Sequence, residues 1–249
     1  MTKTIALISG KGGVGKTTTA ANLGAALSLL GKEVVVVDGN LTTPNLSLHL
    51  GIPLYPVTLH DVLRGKAGVH EAVYRHRTGL KVVPADLSVN ATRGIKPEKL
   101  KDLVSSFFGT SDFVLIDGAA GLGREALAAA EAADRAIIVT NPEITAVTDA
   151  LKTIRTVEGM TEIMGLVVNR IGKHSHELKS EEIEEMTEYP VLSRIPEDPT
   201  VPKSISLKVP VVHFSPKSKA AREFRNLAER LTGLRKRRGL FSRIFGWLR

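Results

Sequence analysis

Residues Ser9–Thr18 read Ser-Gly-Lys-Gly-Gly-Val-Gly-Lys-Thr-Thr. Gly10, Gly15, Lys16 and Thr17 have the spacing of a phosphate-binding loop, in which Gly and four residues precede Gly-Lys-[Ser/Thr]. Glycines let consecutive backbone N–H groups point at phosphate oxygens without a Cβ in the way. The Lys16 ammonium can reach β- and γ-phosphates, and the Thr17 hydroxyl can ligate Mg²⁺. The predicted ligand-binding residues here are Gly10, Lys11, Gly12, Gly13, Val14, Gly15, Lys16, Thr17 and Thr18.

The flanking segments have the pattern that this motif requires. Ile5–Ile8 is a short apolar run typical of a buried strand, and Thr18–Leu30 is an Ala- and Leu-rich stretch that predicts a helix. Strand, loop and helix in this order place the loop at the positive end of the helix dipole, which favours an anion.

A second lysine distinguishes this loop. Lys11 follows Gly10 directly, and Lys-Gly-Gly-Val-Gly-Lys-Thr-Thr resembles the deviant Walker A motif of the MinD/ParA family of ATPases. The resemblance implies ATP and Mg²⁺ as cofactors and a homodimer that forms on ATP binding, in which Lys11 reaches the partner's nucleotide while Lys16 serves its own. The alternative interpretation is that Lys11 is a solvated loop charge.

Two further strands end in a carboxylate. Glu33–Asp38 and Asp112–Asp117 are apolar runs, typical of parallel strands buried on both faces. Ligands of such sheets lie beyond the carboxyl ends of the strands, so we expect both acids beside the phosphate loop. Asp117 fits a Walker B aspartate. The predicted metal-binding residues are Thr17, Asp38 and Asp117.

The segments after these strands correspond to the switch loops of the family. Switch I, residues 39–46, usually has Asp-x-Asp at its start, whereas this chain has Asp38-Gly39-Asn40. An amide cannot accept a proton as a base, but it can orient water by hydrogen bonding. Switch II, Asp117–Gly123, resembles Asp-x-x-x-Gly, which implies that the Gly121 N–H meets the γ-phosphate. The predicted catalytic residues are Lys11, Lys16, Asp38 and Asn40.

Two short motifs resemble the family's adenine pocket. Asn169-Arg170 follows a predicted strand, where an amide can pair with the adenine edge and a guanidinium can stack on the base. Pro196, Glu197 and Asp198 follow the next strand and are implied to line the pocket, mostly through their backbone.

The whole pattern predicts one α/β domain over residues 1–233. Buried strands alternate with helices, which indicates a doubly wound, three-layer P-loop domain with a mainly parallel sheet. Further predicted helices cover residues 97–108, 144–157, 177–188 and 218–231, and further strands cover 79–84, 135–140, 163–169 and 191–195. The polar stretch between Asp198 and Pro210 is predicted to be a loop. The chain has no cysteine, which excludes disulfides, thiolate metal sites and cysteine nucleophiles.

Residues 234–249 form a basic, amphipathic tail, predicted to be helical. The tail has six basic and no acidic residues, so it carries most of the net charge of +8. On a helical wheel its large apolar side chains fall within a sector of about 160°. Aromatic, aliphatic and basic residues on one short helix are typical of a segment lying in an anionic membrane surface. The predicted membrane-contacting residues are Leu240, Phe241, Ile244, Phe245, Trp247 and Leu248.

No secretory signal or run of about 20 apolar residues is present, so we expect a cytoplasmic protein held peripherally on the cytoplasmic face of the membrane. The alternative to membrane binding is that the tail docks on its own domain, on a partner protein or on nucleic acid. No specific nucleic acid is expected, because nucleic-acid binding needs no such apolar face.

The resemblance to the family implies a membrane-cycling ATPase that dimerises on ATP, regulates septum placement and works with an activating or division-machinery partner. Two other functions within the family remain open. One is partitioning of DNA, and the other is positioning of flagella or other polar machinery. The iron–sulfur carriers of the superfamily require cysteines, which this chain lacks.

Overall fold

The computed structural model describes residues 1–52, 55–88, 91–172 and 174–234. Its strands are β1 (Lys3–Ser9), β2 (Val34–Gly39), β3 (Tyr74–Arg75), β4 (Lys81–Val83), β5 (Phe113–Ala120), β6 (Arg135–Thr140), β7 (Glu162–Ile171) and β8 (Val191–Pro196). Its α-helices are α1 (Lys16–Leu29), α2 (Leu46–Leu50), α3 (Leu59–Leu63), α4 (Leu100–Ser105), α5 (Arg124–Glu131), α6 (Ile144–Val157), α7 (Ser180–Thr187), α8 (Thr200–Ser206), α9 (Val211–Phe214) and α10 (Lys219–Thr232). Short 3₁₀ turns cover Val69–Ala72 and Pro97–Lys99.

Within these residues the strands form one sheet in the order β3-β4-β2-β5-β1-β6-β7-β8. Every neighbouring pair is parallel except β3 and β4, where the edge strand turns back. Side chains alternate between two apolar layers: Ile5 and Leu7 of β1 pack with α1, α9 and α10, whereas Ala6 and Ile8 pack with α3 to α7. The predicted three-layer, mainly parallel architecture is confirmed.

Three predicted boundaries were wrong for local reasons. The predicted loop between Asp198 and Pro210 contains α8, because Pro202 lies in the first helical turn, where its missing N–H costs nothing. The predicted helix 97–108 is a 3₁₀ turn followed by α4, which ends where the Ser105 and Ser106 hydroxyls bond to carbonyls of the preceding turn. β5 continues beyond Asp117 to Ala120, because Ser9 pairs with that residue.

The predicted membrane residues lie in 235–249, outside the described residues. In the part of the chain that the structure describes, no helix is long and apolar enough to cross a bilayer.

Candidate functional site

A cavity of about 750 Å³ opens at the carboxyl ends of β1, β2 and β5. It is bordered by the glycine loop after β1, by switch I after β2 and by the start of α5 after switch II. Of the predicted site residues, those that line it are Gly12, Gly13, Val14, Gly15, Lys16, Thr17, Thr18, Asn40 and Arg170. The sheet therefore brings the predicted phosphate loop and switch I together.

The loop needs glycine at two of its positions for different reasons. Gly15 has φ +96°, and a Cβ built there would lie 2.0 Å from Asn169 Nδ2. Gly10 has ordinary backbone angles, but its Cβ would meet the Asp149 carbonyl of α6 at 2.3 Å. The loop is therefore closely packed against β7 on one side and α6 on the other.

Lys16 and Asp117 form a buried ion pair. Lys16 Nζ donates to Asp117 Oδ1 at 3.1 Å, and the two side chains are only 8% and 0% exposed. The second carboxylate oxygen of Asp117 is buried and has no protein partner. This unpartnered carboxylate oxygen and the Thr17 hydroxyl, which lines the cavity at the start of α1, are oxygen donors of the kind that Mg²⁺ favours, so the residues present fit this ion.

Asp38 lies beside Asp117 in the sheet, with the two residues in register on β2 and β5. It is fully buried, and burial, together with the neighbouring Asp117 charge, raises the pKa of Asp38 well above its usual range. Both of its oxygens accept backbone hydrogen bonds from switch I, from Leu46 at 3.1 Å and from Asn40 at 3.4 Å. Asp38 thus anchors both ends of switch I.

The side-chain amide of Asn40, a predicted catalytic residue, forms hydrogen bonds within switch I. Asn40 Nδ2 donates to the Thr43 carbonyl at 2.6 Å, and Asn40 Oδ1 accepts from the Thr43 N–H at 3.2 Å. Asn40 still lines the cavity, so a change in this turn can present its amide to a bound ligand.

The residues that were predicted for the phosphate and metal sites but do not line this cavity are Gly10, Lys11, Asp38, Asp117 and Gly121. The Gly121 N–H, which the sequence assigned to a γ-phosphate, donates to the Ser9 carbonyl at 2.9 Å and extends the β1–β5 pairing. Lys11 is exposed, next to the loop residues that line the cavity. An exposed ammonium beside an open cavity can reach a second molecule, which a buried one could not.

A smaller cavity of about 120 Å³ adjoins the first and shares Gly15, Thr18 and Arg170 with it. The predicted adenine residues that line it are Asn169, Arg170, Pro196, Glu197 and Asp198. Val201, Pro202 and Ile205 of α8 complete its wall, and the sequence missed them because this segment was predicted to be a loop.

Two polar side chains of the smaller cavity already form hydrogen bonds within the protein. Asn169 Nδ2 donates to the Val14 carbonyl at 2.8 Å, which braces the phosphate loop. Asp198 accepts from Thr200 and from the Ala220 N–H at the start of α10. Burial opposes ionisation of Asp198, but these hydrogen bonds outweigh it and lower its pKa. The Asp198 side chain thus anchors the starts of α8 and α10.

Comparison with known proteins identifies the family. The ParA family model, described as "NUBPL iron-transfer P-loop NTPase", matches residues 1–232. This chain belongs to the MinD/ParA family of P-loop NTPases. An uncharacterized ATP-binding protein of Methanocaldococcus jannaschii is 43% identical over 92% of this chain and 87% of its own length.

Solved MinD structures share the fold. The septum site-determining protein MinD of Pyrococcus horikoshii, complexed with Mg-ADP, is 38% identical with a TM-score of 0.90, covering 94% of this chain and 97% of that one. MinD in the MinC:MinD cell division complex of Aquifex aeolicus is 32% identical with a TM-score of 0.83, covering 93% and 96% of the two chains.

Several residues that line this MinD/ParA site carried no sequence signal, and His49 and Glu125 are two of them. His49 of α2 lines the main cavity, and burial lowers its pKa, so the imidazole is neutral near pH 7. Glu125 of α5 lines the cavity from the opposite side. Neither belongs to a recognised motif, and only the folded arrangement brings them to the site.

Proposed function

We propose that this chain is an ATP-dependent, dimerising ATPase that cycles on and off the cytoplasmic face of the membrane and regulates septum placement. The observation that carries the proposal is the loop with one buried lysine, Lys16, and one exposed lysine, Lys11, at the mouth of a nucleotide-sized cavity. Similarity over nearly the whole chain to MinD proteins supports it.

In this proposal the loop from Gly10 to Thr18 binds the phosphates with its N–H groups. Lys16 leaves its ion pair with Asp117 for a phosphate oxygen, which frees a second carboxylate oxygen. Thr17, Asp38 and Asp117 would hold Mg²⁺. The ion would neutralise negative charge on the phosphates.

Hydrolysis requires an attacking water, and Asn40 is the residue that we propose to orient it. The Gly121 N–H would give up its bond to Ser9 and turn to the γ-phosphate. Asn169 and Arg170 would contact the base, with Pro196, Glu197 and Asp198 around it. Hydrolysis is expected to be slow without an activating partner, because an amide at position 40 cannot act as a base.

Lys11 is proposed to cross to the nucleotide of a second subunit, so that ATP joins two chains. Each tail, residues 234–249, would hold a membrane weakly, and two tails on one dimer can gain about 10²–10⁴ in avidity. ATP would thus keep the dimer on the membrane, and hydrolysis would release it. A division-machinery protein is the proposed partner, as in the Aquifex aeolicus complex.

Sedimentation with anionic liposomes tests this proposal. We expect the full chain to pellet with ATP far more than with ADP, and a chain ending at Gly233 to stay in solution with either nucleotide. The Lys11→Ala variant should still bind ATP, but ATP should no longer increase its pelleting. Lys66→Ala, at another exposed lysine, is the matched control and should pellet as the unmodified chain does. Equal pelleting with both nucleotides would contradict the proposal.

The DNA-partitioning alternative is tested in parallel with a duplex DNA probe. A nucleotide-dependent DNA shift that survives removal of residues 234–249 would favour that function over membrane cycling. Deletion of the gene distinguishes septum placement from the positioning of polar machinery. Misplaced septa in the deletion strain would indicate the first function, and misplaced flagella would indicate the second. Iron transfer, which the family description names, is not proposed because the chain has no cysteine to bind an iron–sulfur cluster.

A further inference from the structure

Glu125, in the first turn of α5, directs its carboxylate at switch I. One oxygen accepts hydrogen bonds from the backbone N–H groups of Leu41, at 2.9 Å, and Thr42, at 3.2 Å. The other oxygen accepts from the Thr42 hydroxyl. One side chain therefore satisfies three donors of a loop that is 83 or 84 positions away in the sequence.

Leu41 is held from its other side as well. Its side chain is 3% exposed, and its carbonyl lies 3.1 Å from His60 Nε2. The other ring nitrogen of His60 accepts from the Asp86 N–H, so Nε2 carries the proton and donates to Leu41. The Leu41 residue is thus fixed between α5, through Glu125, and α3, through His60.

Because α5 follows switch II, the contact of Glu125 with switch I links the two switch segments. The helix begins directly after switch II, and Asn40, the proposed water-orienting residue, directly precedes Leu41. A carboxylate in the first turn of α5 therefore bridges the two segments that must rearrange when a γ-phosphate arrives or leaves. The neighbouring acid Glu98 has no such role, because it pairs with the exposed Arg124 instead.

We propose that Glu125 is a positioning residue that ties switch I to switch II and thereby sets where the Asn40 amide lies. Motion of switch II is transmitted to switch I through α5 and this carboxylate. The contact itself is independent of the proposed function, whereas its effect on hydrolysis rests on that function.

Hydrogen–deuterium exchange on the full chain without nucleotide tests the contact. A hydrogen bond to a charged group corresponds to roughly a ten-fold or larger protection. We therefore expect Glu125→Ala to speed exchange at the Leu41 and Thr42 amides about ten-fold or more, with Glu125→Gln intermediate because its carbonyl oxygen still accepts. Glu98→Ala is the matched control and should change neither amide.

Exchange in β1 and β5 shows whether the fold is intact. Unchanged rates at Leu41 and Thr42 in Glu125→Ala would overturn the proposal. A uniform increase across the chain would also overturn it, because Glu125 would then support the fold generally rather than this loop.

Steady-state hydrolysis supplies the second measurement. We expect Glu125→Ala to lower kcat at least several-fold with little change in KM, and Glu125→Gln to recover part of the loss. Faster exchange with unchanged kcat would overturn the positioning role. If the unmodified chain does not hydrolyse ATP, the proposed function fails, while the exchange result still decides whether Glu125 holds switch I.

Discussion

Replacing Gly15 with alanine should destabilise the nucleotide-free protein by an amount that the geometry sets. At φ +96° an alanine pays about 1–2 kcal/mol of backbone strain. Its Cβ would also lie 2.0 Å from Asn169 Nδ2, so that side chain must move and give up its 2.8 Å bond to Val14. A lost hydrogen bond of this kind costs roughly 1 kcal/mol, for a total of about 2–3 kcal/mol.

Gly12 is a matched control in the same loop. Its φ is not in the left-handed region, and a Cβ there meets nothing within 4 Å. Gly→Ala also stabilises by restricting the unfolded chain, by about 0.4–1 kcal/mol, and this contribution is similar in both variants. The difference between Gly12→Ala and Gly15→Ala therefore isolates strain and contact in the folded loop.

Urea unfolding followed by circular dichroism, in buffer without nucleotide, measures both variants. We expect Gly15→Ala to unfold at clearly lower urea, with a free energy about 2–3 kcal/mol below that of Gly12→Ala. Equal midpoints and equal slopes would refute the reasoning, because they would mean that neither the backbone angle nor the Asn169 contact constrains this position.

Three further changes have defined outcomes. Asp117→Ala leaves the Lys16 ammonium buried without a partner and should lower the free energy of unfolding by roughly 3–5 kcal/mol, measured by urea titration at pH 7.5. Burial lowers the pKa of His60, so the neutral imidazole stabilises the fold above pH about 6.5, and this stabilisation is lost as the pH falls below that value. In urea titrations between pH 7.5 and 5.5, His60→Gln should therefore make the free energy of unfolding less dependent on pH. Asp198→Ala removes the acceptor shared by α8 and α10 and should lower the melting temperature by several degrees. Asp149→Ala, which removes a partly exposed carboxylate paired with Lys152 on α6, should change the melting temperature little.

The phosphate loop and the central strands could be predicted because their signals are local. The spacing of Gly10, Gly15 and Lys16 lies within eight residues, and the apolar runs before Asp38 and Asp117 are continuous. Parallel strands bring their carboxyl ends to one edge, so the positions of both acids followed without knowledge of any long-range contact.

The wall of the smaller cavity and the brace on switch I could not be predicted in the same way. α8 is short and contains Pro202, so its sequence resembles a loop, and the helix that lines the smaller cavity is seen only in the folded chain. Glu125 resembles any solvated helix acid until the fold brings Leu41 and Thr42 to it. The same holds for Asp38, whose bonds to Leu46 and Asn40 depend on the path of switch I.

The end of α10 and the main cavity lie at opposite ends of β1, and this constrains how nucleotide could control membrane binding. Leu231, near the end of α10, accepts a hydrogen bond from Lys3 at the first residue of β1, whereas Ser9 at the last residue of β1 lines the cavity. Seven residues of strand separate these ends by about 20 Å.

A nucleotide in the cavity would therefore not touch the end of α10, which residues 235–249 follow in the sequence. In the proposed function, ATP controls membrane binding by joining two subunits and so two tails. This control would need no signal along the sheet, because Lys11 would act at the cavity and the second tail would come with the second subunit. Lys11→Ala should then bind liposomes with ATP only as weakly as with ADP. Retention of the full ATP response by a Lys11→Ala chain that stays monomeric would contradict this argument and require a path through the domain itself.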